Sequence, residues 1–183
     1  MHNKVILIAI AFLTMQTHST LSNAEPHHHA QAPHVHGTSE IQLVINNDEI
    51  EILFESPASN IVGFEHLAKT VTEKEKVKKA KTILSNPKLL FDFDNANCKS
   101  KESKVNLQAL LVSGHNHAHK NSHNEISALY RFQCRSIANL KSIDIKFFDH
   151  FPNISEISTQ WITSNKQGMS TLKANTHQLV FGE

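Results

Sequence analysis

Apolar side chains recur at every second position in several parts of this 183-residue chain, and this period constrains its fold more than any other feature. The alternation runs through residues 41–45 and again through 50–54, with Asn46-Asn47-Asp48 between the two stretches. A period of two places the apolar side chains on one face of an extended strand. Because Asn and Asp favour tight turns, the triplet predicts a β-hairpin with one apolar face.

The second half of the chain also reads as strands. Residues 105–111 and 126–134 alternate in the same way, and between them lies a predicted loop at 113–124, whose sequence SGHNHAHKNSHN has no large apolar side chain. Further strands are predicted at 140–147, 154–163, 170–172 and 178–181.

One main surface helix is predicted to start at Thr72 and to run to about Leu84. Thr72 and Glu75 have the spacing of a capping box, and Pro87 prevents the helix from continuing. The lysines of this stretch alternate with glutamates and are interpreted as a solvated helix face. One helix among many strands predicts a single α+β domain built on antiparallel β-sheet, with one disulfide.

The N-terminus has the order of a secretory signal peptide. Lys4 precedes an apolar run at 5–15 that spans only about 17 Å as a helix, too short to cross a membrane, and small residues end the segment at Ala24. We therefore expect three parts: a signal peptide at 1–24, a histidine-rich mobile arm at 25–37 and a domain at 38–183. The alternative is a buried N-terminal helix. After cleavage we expect no membrane insertion.

Cys98 and Cys134 are the only cysteines, and in an exported chain they are expected to form a disulfide. The alternative is a pair of thiolate metal ligands. If 105–112 pairs antiparallel with 126–134, opposed residue numbers sum to about 238, which places Cys98 near the base of this hairpin and opposite roughly residue 140. The disulfide would then fasten the base and leave the histidine-rich tip free.

Fourteen histidines are a marked excess for a globular chain of this length, and nine of them lie in the arm and the loop. Imidazole is a common ligand for zinc and copper, and histidines at alternate positions of an extended chain lie on the same side. We predict metal ligands at His27, His28, His29, His34, His36, His115, His117, His119 and His123. His66, which follows Glu65, is a candidate with equal claim to a structural role, and His150 and His177 are expected to be structural.

Several function classes are excluded. Eighteen basic and 17 acidic side chains leave a net charge of +1, which lacks the cationic excess that nucleic-acid binding needs. The chain has no His-Glu-x-x-His, no Gly-x-Ser-x-Gly and no phosphate-binding glycine loop, so we expect no enzyme activity.

The order of motifs along the chain resembles the ZrgA family of periplasmic zinc-uptake proteins. The motifs are HVHG at 34–37, SP at 56–57, GFEH at 63–66, Cys98, the histidine-rich insertion at 115–123, YRFQC at 130–134 and FFDHFPNISEISTQWIT at 147–163. The resemblance implies zinc binding in the periplasm in support of a high-affinity importer. It implies that HVHG and the insertion bear the zinc, and Glu65 and His66, which match GFEH, are further candidate ligands.

The sequence therefore predicts a soluble periplasmic protein that captures and buffers Zn²⁺ and passes it toward an uptake system, with a periplasmic importer-binding protein as partner. The alternative functions are a protein-interaction module or pH sensor whose histidines are incidental, and a binder of another divalent metal such as Cu²⁺ or Ni²⁺.

Overall fold

The computed structural model describes residues 35–111 and 124–181, which belong to one unit at 33–183. These residues form nine strands and three helices. The strands are β1 Thr38–Asn46, β2 Glu49–Pro57, β3 Phe91–Asp92, β4 Cys98–Asn106, β5 Glu125–Cys134, β6 Ser142–Ile145, β7 Glu156–Ile162, β8 Gln167–Leu172 and β9 Gln178–Val180. The helices are α1 Ala58–Val62, α2 Val71–Leu84 and α3 Phe147–His150.

The strands form two sheets. The larger has the order β4-β5-β2-β1-β7-β8, and the smaller has the order β3-β6-β9. All pairs are antiparallel except β1 with β7, which are parallel. The prediction of purely antiparallel sheet is therefore wrong at this one pair, because the chain leaves the large sheet at β5, passes through β6 of the small sheet and returns as β7 beside β1.

The first hairpin follows its prediction. Side chains of β2 alternate between buried and more exposed through most of the strand, and Ile41 and Leu43 of β1 are buried on the same face. The turn residue Asn47 adopts a φ of 54°, which Asn tolerates better than most residues. The alternation of apolar residues was sufficient to predict this hairpin because one of its faces is buried and the other is solvated.

The helix α2 starts one residue earlier than predicted. Its N-cap is Thr70, whose Oγ1 accepts a hydrogen bond from the Glu73 amide while the Glu73 carboxylate accepts one from the Thr70 amide. The sequence contains two overlapping Thr-x-x-Glu spacings, and the prediction chose Thr72. The helix ends before Pro87 as expected, with its buried face on Val77, Ala80 and Leu84.

The strand predicted at 105–112 lies earlier in the chain than expected, at Cys98–Asn106. The strand is instead β4, and Gln108–Leu110 form a 3₁₀ turn that buries Leu110. The pattern missed β4 because it lies at the edge of the sheet and has few buried side chains, so it shows little apolar alternation. Opposed residues of β4 and β5 sum to 232 or 233, as in Cys98↔Cys134 and Val105↔Ala128, and not to about 238.

The predicted disulfide is confirmed. Cys98 and Cys134 are bonded and lie directly opposite each other at one end of the β4–β5 ladder. Two free thiolate ligands are thereby excluded.

Aromatic side chains fill the space between the two sheets. Phe91 of the small sheet meets Tyr130 and Phe132 of the large sheet, with ring centroids 5.1 and 5.8 Å apart. The Tyr130 hydroxyl donates to the Leu84 carbonyl at 2.8 Å and thereby joins α2 to the core, and burial raises the Tyr130 pKa. The described residues thus form a mainly β protein with few helices, and the α+β prediction holds only in this coarser sense.

Candidate metal site

His36 and Glu65 form a pair at the surface, although 29 positions separate them in the chain. His36 lies in the turn before β1, and Glu65 lies between α1 and α2. The His36 Nε2 atom is 3.1 Å from Glu65 Oε1, and the same carboxylate oxygen accepts a hydrogen bond from Ser59 Oγ at 2.9 Å. The His36 side chain is 65 % exposed whereas that of Glu65 is 17 % exposed, so an exposed imidazole faces a largely buried carboxylate.

Gly37 anchors the backbone next to His36. It has a φ of 88°, in the left-handed region, and its amide donates to Asn60 Oδ1 at 2.8 Å. Its carbonyl accepts from the Ser155 amide at 2.8 Å and from Ser155 Oγ at 3.0 Å. A Cβ atom at this position would lie 2.6 Å from Ser155 Oγ, so only glycine fits without displacement.

Asn60 continues this network into the core. It is 2 % exposed, and its Nδ2 atom donates to the Thr38 carbonyl at 2.9 Å. Buried amides are costly to leave without partners, so these bonds hold α1 against the start of β1. The consequence is a fixed start of β1 directly after His36.

Asn124 holds the segment that carries Glu65. Its side-chain Nδ2 atom donates to the Glu65 backbone carbonyl at 2.6 Å, and its backbone carbonyl accepts from the Ala58 amide at 2.8 Å. Nearby, the Ala68 amide donates to the Leu110 carbonyl at 2.9 Å. Both described ends of the chain around the predicted loop therefore attach to the segment that carries Glu65.

His66 belongs to a different pair. Its Nε2 atom lies 3.7 Å from Glu73 Oε1, its Nδ1 atom lies 3.0 Å from the Leu67 carbonyl, and its ring stacks on Phe64 with centroids 4.9 Å apart. Hydrogen bonds from the Thr70 and Lys69 amides hold the Glu73 pKa below its ordinary value, and His66 adds to this effect. His66 thus faces the start of α2.

Each of these two pairs brings two potential metal ligands together. Within 35–111 and 124–181, no group of three or more His, Cys, Asp or Glu side chains is close enough to hold a metal ion. Two ligands about 2.05 Å from a tetrahedral zinc ion would be about 3.3 Å apart, which is close to the 3.1 Å between His36 and Glu65. The distance is that of a hydrogen-bonded pair, and it is also compatible with two ligands of one zinc ion.

The other predicted ligands lie outside the described residues. They are His27, His28, His29, His34, His115, His117, His119 and His123. His34 precedes His36 by two positions, and the four loop histidines fall between Leu111 and Asn124.

The two remaining described histidines have structural partners. His150 Nε2 lies 3.1 Å from the Leu89 carbonyl, and His177 Nε2 lies 3.0 Å from Asp144 Oδ1. The spacing of the His177–Asp144 pair is like that of His36 and Glu65, and the structural roles expected for His150 and His177 stay predictions.

Sequence reasoning missed the residues that position the pair: Ser59, Asn60, Asn124 and Ser155. Each is a single small polar residue in a polar or short segment, and no periodic pattern marks it. The only local signals were Pro57 before α1 and the position of Asn124 at the end of the predicted loop.

These features define a class: a mainly β protein with a disulfide and a surface histidine–carboxylate pair held by a buried polar network. The chain belongs to the ZrgA family, since the family model described as ZrgA family zinc uptake protein matches residues 33–181. This confirms the resemblance and supports a role in zinc uptake. A search of curated proteins gave no significant match. Among the described helices, none has the length and apolar character needed to cross a membrane.

Proposed function

We propose that this protein binds Zn²⁺ in the periplasm, buffers it and delivers it to a high-affinity importer. The observation that carries the proposal is the His36–Glu65 pair, which has ligand spacing and is held by a network that reaches the core. Membership of a zinc uptake family makes zinc the first metal to consider.

The proposed main site combines His36 and Glu65 with histidines from outside the described residues. His34 would approach from the arm, two positions before His36 in the chain. His115, His117, His119 and His123 would approach from the loop, because Leu110 and Asn124 are both tied to the segment around Glu65. His27, His28 and His29 would act as mobile collectors in the arm.

His66 is proposed as a separate, weaker ligand together with Glu73. The 3.7 Å between Nε2 and the carboxylate leaves room for a cation between them after a small side-chain rotation, and His66 is exposed. A pair of donors alone binds zinc weakly, so this position would serve exchange and not storage.

Exposure of His36 suits a carrier of zinc cargo. A site that must release its ion to a partner needs ligands that can leave, and a 65 % exposed imidazole can rotate away. The signal peptide proposed at 1–24 would bring the chain to the periplasm, where an importer-binding protein would be the receiving partner.

Calorimetric zinc titration of the mature chain tests this proposal. Glu65→Gln keeps the size and the hydrogen bond from Ser59 but removes the charge, and we expect zinc affinity at the main site to fall by at least about tenfold. Replacing the four loop histidines by Ala should lower the zinc stoichiometry. His177→Gln, which changes a histidine that pairs with Asp144, is the matched control and should leave both quantities unchanged.

Two outcomes would contradict the proposal. If Glu65→Gln and the loop variant bind zinc as the unchanged protein does, the histidines are incidental and the interaction-module or pH-sensor function is favoured. If Cu²⁺ or Ni²⁺ displaces zinc at concentrations available in the periplasm, the protein is a carrier of that other metal.

A further inference from the structure

The two edges of the large sheet differ in how they are protected. The β4 edge carries exposed Lys99, Lys101 and Lys104, and its register shifts between Ser100 and Glu102. Charges and irregular register are the usual devices that prevent an edge strand from pairing with another chain. The β8 edge has neither: its sequence QGMSTL contains no charge and no proline, and its pairing with β7 is continuous.

Strand β8 is paired on one side only in the part of the chain that the structure describes. Six residues in regular register offer enough backbone amides and carbonyls for an added strand.

An apolar groove lies beside this edge, on the outward face of the sheet. The exposed side chains of Val44, Ile162 and Met169 lie on this face, and Met169 is 74 % exposed. They belong to β1, β7 and β8, which are adjacent in the sheet, and the groove has a volume of about 580 Å³. Apolar side chains grouped on one outward face are typical of an interaction surface, whereas single exposed ones are common everywhere.

The charge of this region selects the partner. From residue 157 to 182 the chain has no Asp or Glu, although the whole sequence is nearly balanced at 18 basic and 17 acidic residues. Lys173 directly follows β8 and is exposed. The region therefore complements a segment that carries carboxylates.

A second copy of this chain fits less well. If two β8 strands paired antiparallel over their full length, Lys166 of each would oppose Lys173 of the other. Like charges directly opposite each other destabilise a sheet.

We propose that β8 and its groove are a docking site for an extended, acidic segment of a partner protein. The segment adds to the large sheet as a further strand through backbone hydrogen bonds. Its apolar side chains cover Met169, and a carboxylate at one of its ends meets Lys173. This surface contains none of the proposed zinc ligands, so the inference is independent of the zinc proposal.

The probe is a synthetic peptide of about ten residues with blocked ends, in which Val and Thr alternate between two Glu at each end. A second peptide carries Lys in place of Glu. Binding to the mature protein is followed in buffer with a metal chelator, which separates the result from zinc binding. Trp161 is the only tryptophan, and it packs over Gly168 of β8, so its fluorescence reports on this edge.

We expect the acidic peptide to bind and to slow amide hydrogen exchange at 167–172. Met169→Glu and Lys173→Glu should each weaken binding by about tenfold or more, because each adds repulsion and the first also removes apolar contact. Val71→Glu and Lys88→Glu are matched controls, since Val71 is 73 % exposed and Lys88 is exposed on other surfaces. Both should bind as the unchanged protein does.

Three results would overturn the proposal. The first is no protection at 167–172 with the acidic peptide. The second is equal binding of the Lys peptide. The third is a dimer in light scattering that Met169→Glu disrupts, because the occupant would then be a second copy of this chain.

Discussion

At the scale of single residues, Gly37 determines where His36 lies. Its positive φ and its contact with Ser155 leave no room for a side chain, and its amide and carbonyl join β1 to α1 and to the start of β7. The glycine of HVHG is therefore part of the site although it provides no ligand.

Gly37→Ala should weaken zinc binding while it leaves every proposed ligand in place. The new Cβ would displace Ser155 or the backbone, and we expect zinc affinity to fall by about tenfold and the free energy of unfolding to fall by about 1–3 kcal/mol. Calorimetric titration and denaturant unfolding measure the two quantities.

Gly63→Ala is the control for this substitution. Gly63 has a similar φ of 85°, but a Cβ atom there would meet only Asn153 Nδ2 at 4.0 Å. It should show backbone strain without a clash. If zinc affinity fell equally in Gly37→Ala and Gly63→Ala, the contact of residue 37 with Ser155 would not be what positions His36.

At the scale of secondary structure, two threonines near the start of α2 have the sequence spacing of an N-cap residue, and one of them caps the helix. Thr70 makes the capping bonds to Glu73, whereas Thr72 is the second residue of the helix. Thr70→Ala should lower the free energy of unfolding by about 1 kcal/mol, since it removes an N-cap. Thr72→Ala is the matched control and should change it by only a few tenths of a kcal/mol. The reverse order in denaturant titrations would place the cap at Thr72.

Ion pairs on strands β4, β5 and β2 lead us to expect that the stability of the fold depends on pH. Lys104 and then Arg131 hold the pKa of Glu102 below its ordinary value of 4.5, and Arg131 also pairs with Glu51 at 2.6 Å. A depressed pKa means that the folded state favours the carboxylate. The stability from this group is therefore present above pH 4.5 and is lost as pH falls through the lowered pKa.

Glu102→Gln tests that dependence. The difference in free energy of unfolding between the unchanged protein and the variant should be largest near neutral pH and should shrink as the pH falls from 4.5 through the lowered pKa of Glu102. Denaturant unfolding over a pH series gives this difference. A constant difference across the series would show that the ion pair does not contribute through its charge.

At the scale of the whole molecule, the disulfide closes a long loop that includes the histidine-rich segment. Cys98 and Cys134 are 36 positions apart, and on the chain-entropy argument this closure stabilises the fold by about 4 kcal/mol. Replacing both cysteines by Ser should lower the free energy of unfolding by about that amount. Zinc stoichiometry should not change, because neither cysteine is a free thiolate. A loss of bound zinc in the folded variant would contradict this account.

The sequence by itself determined the elements whose pattern reports directly on burial. The 41–54 hairpin, β5 and the end of α2 follow from alternation, turn residues and Pro87, because one buried face and one solvated face leave a readable period. Two cysteines in a chain with a predicted export signal were enough to predict the disulfide. The ordered motifs were enough to indicate the family.

Only the tertiary structure decided what depends on contacts between distant segments. The edge strand β4 has little buried face and hence little pattern, and the parallel pairing of β1 with β7 depends on a crossover that local periodicity does not encode. The same holds for the site. Histidine content marked the candidate ligands, but the partnership of His36 with Glu65 depends on hydrogen bonds of their two segments with Asn60, Ser59 and Asn124.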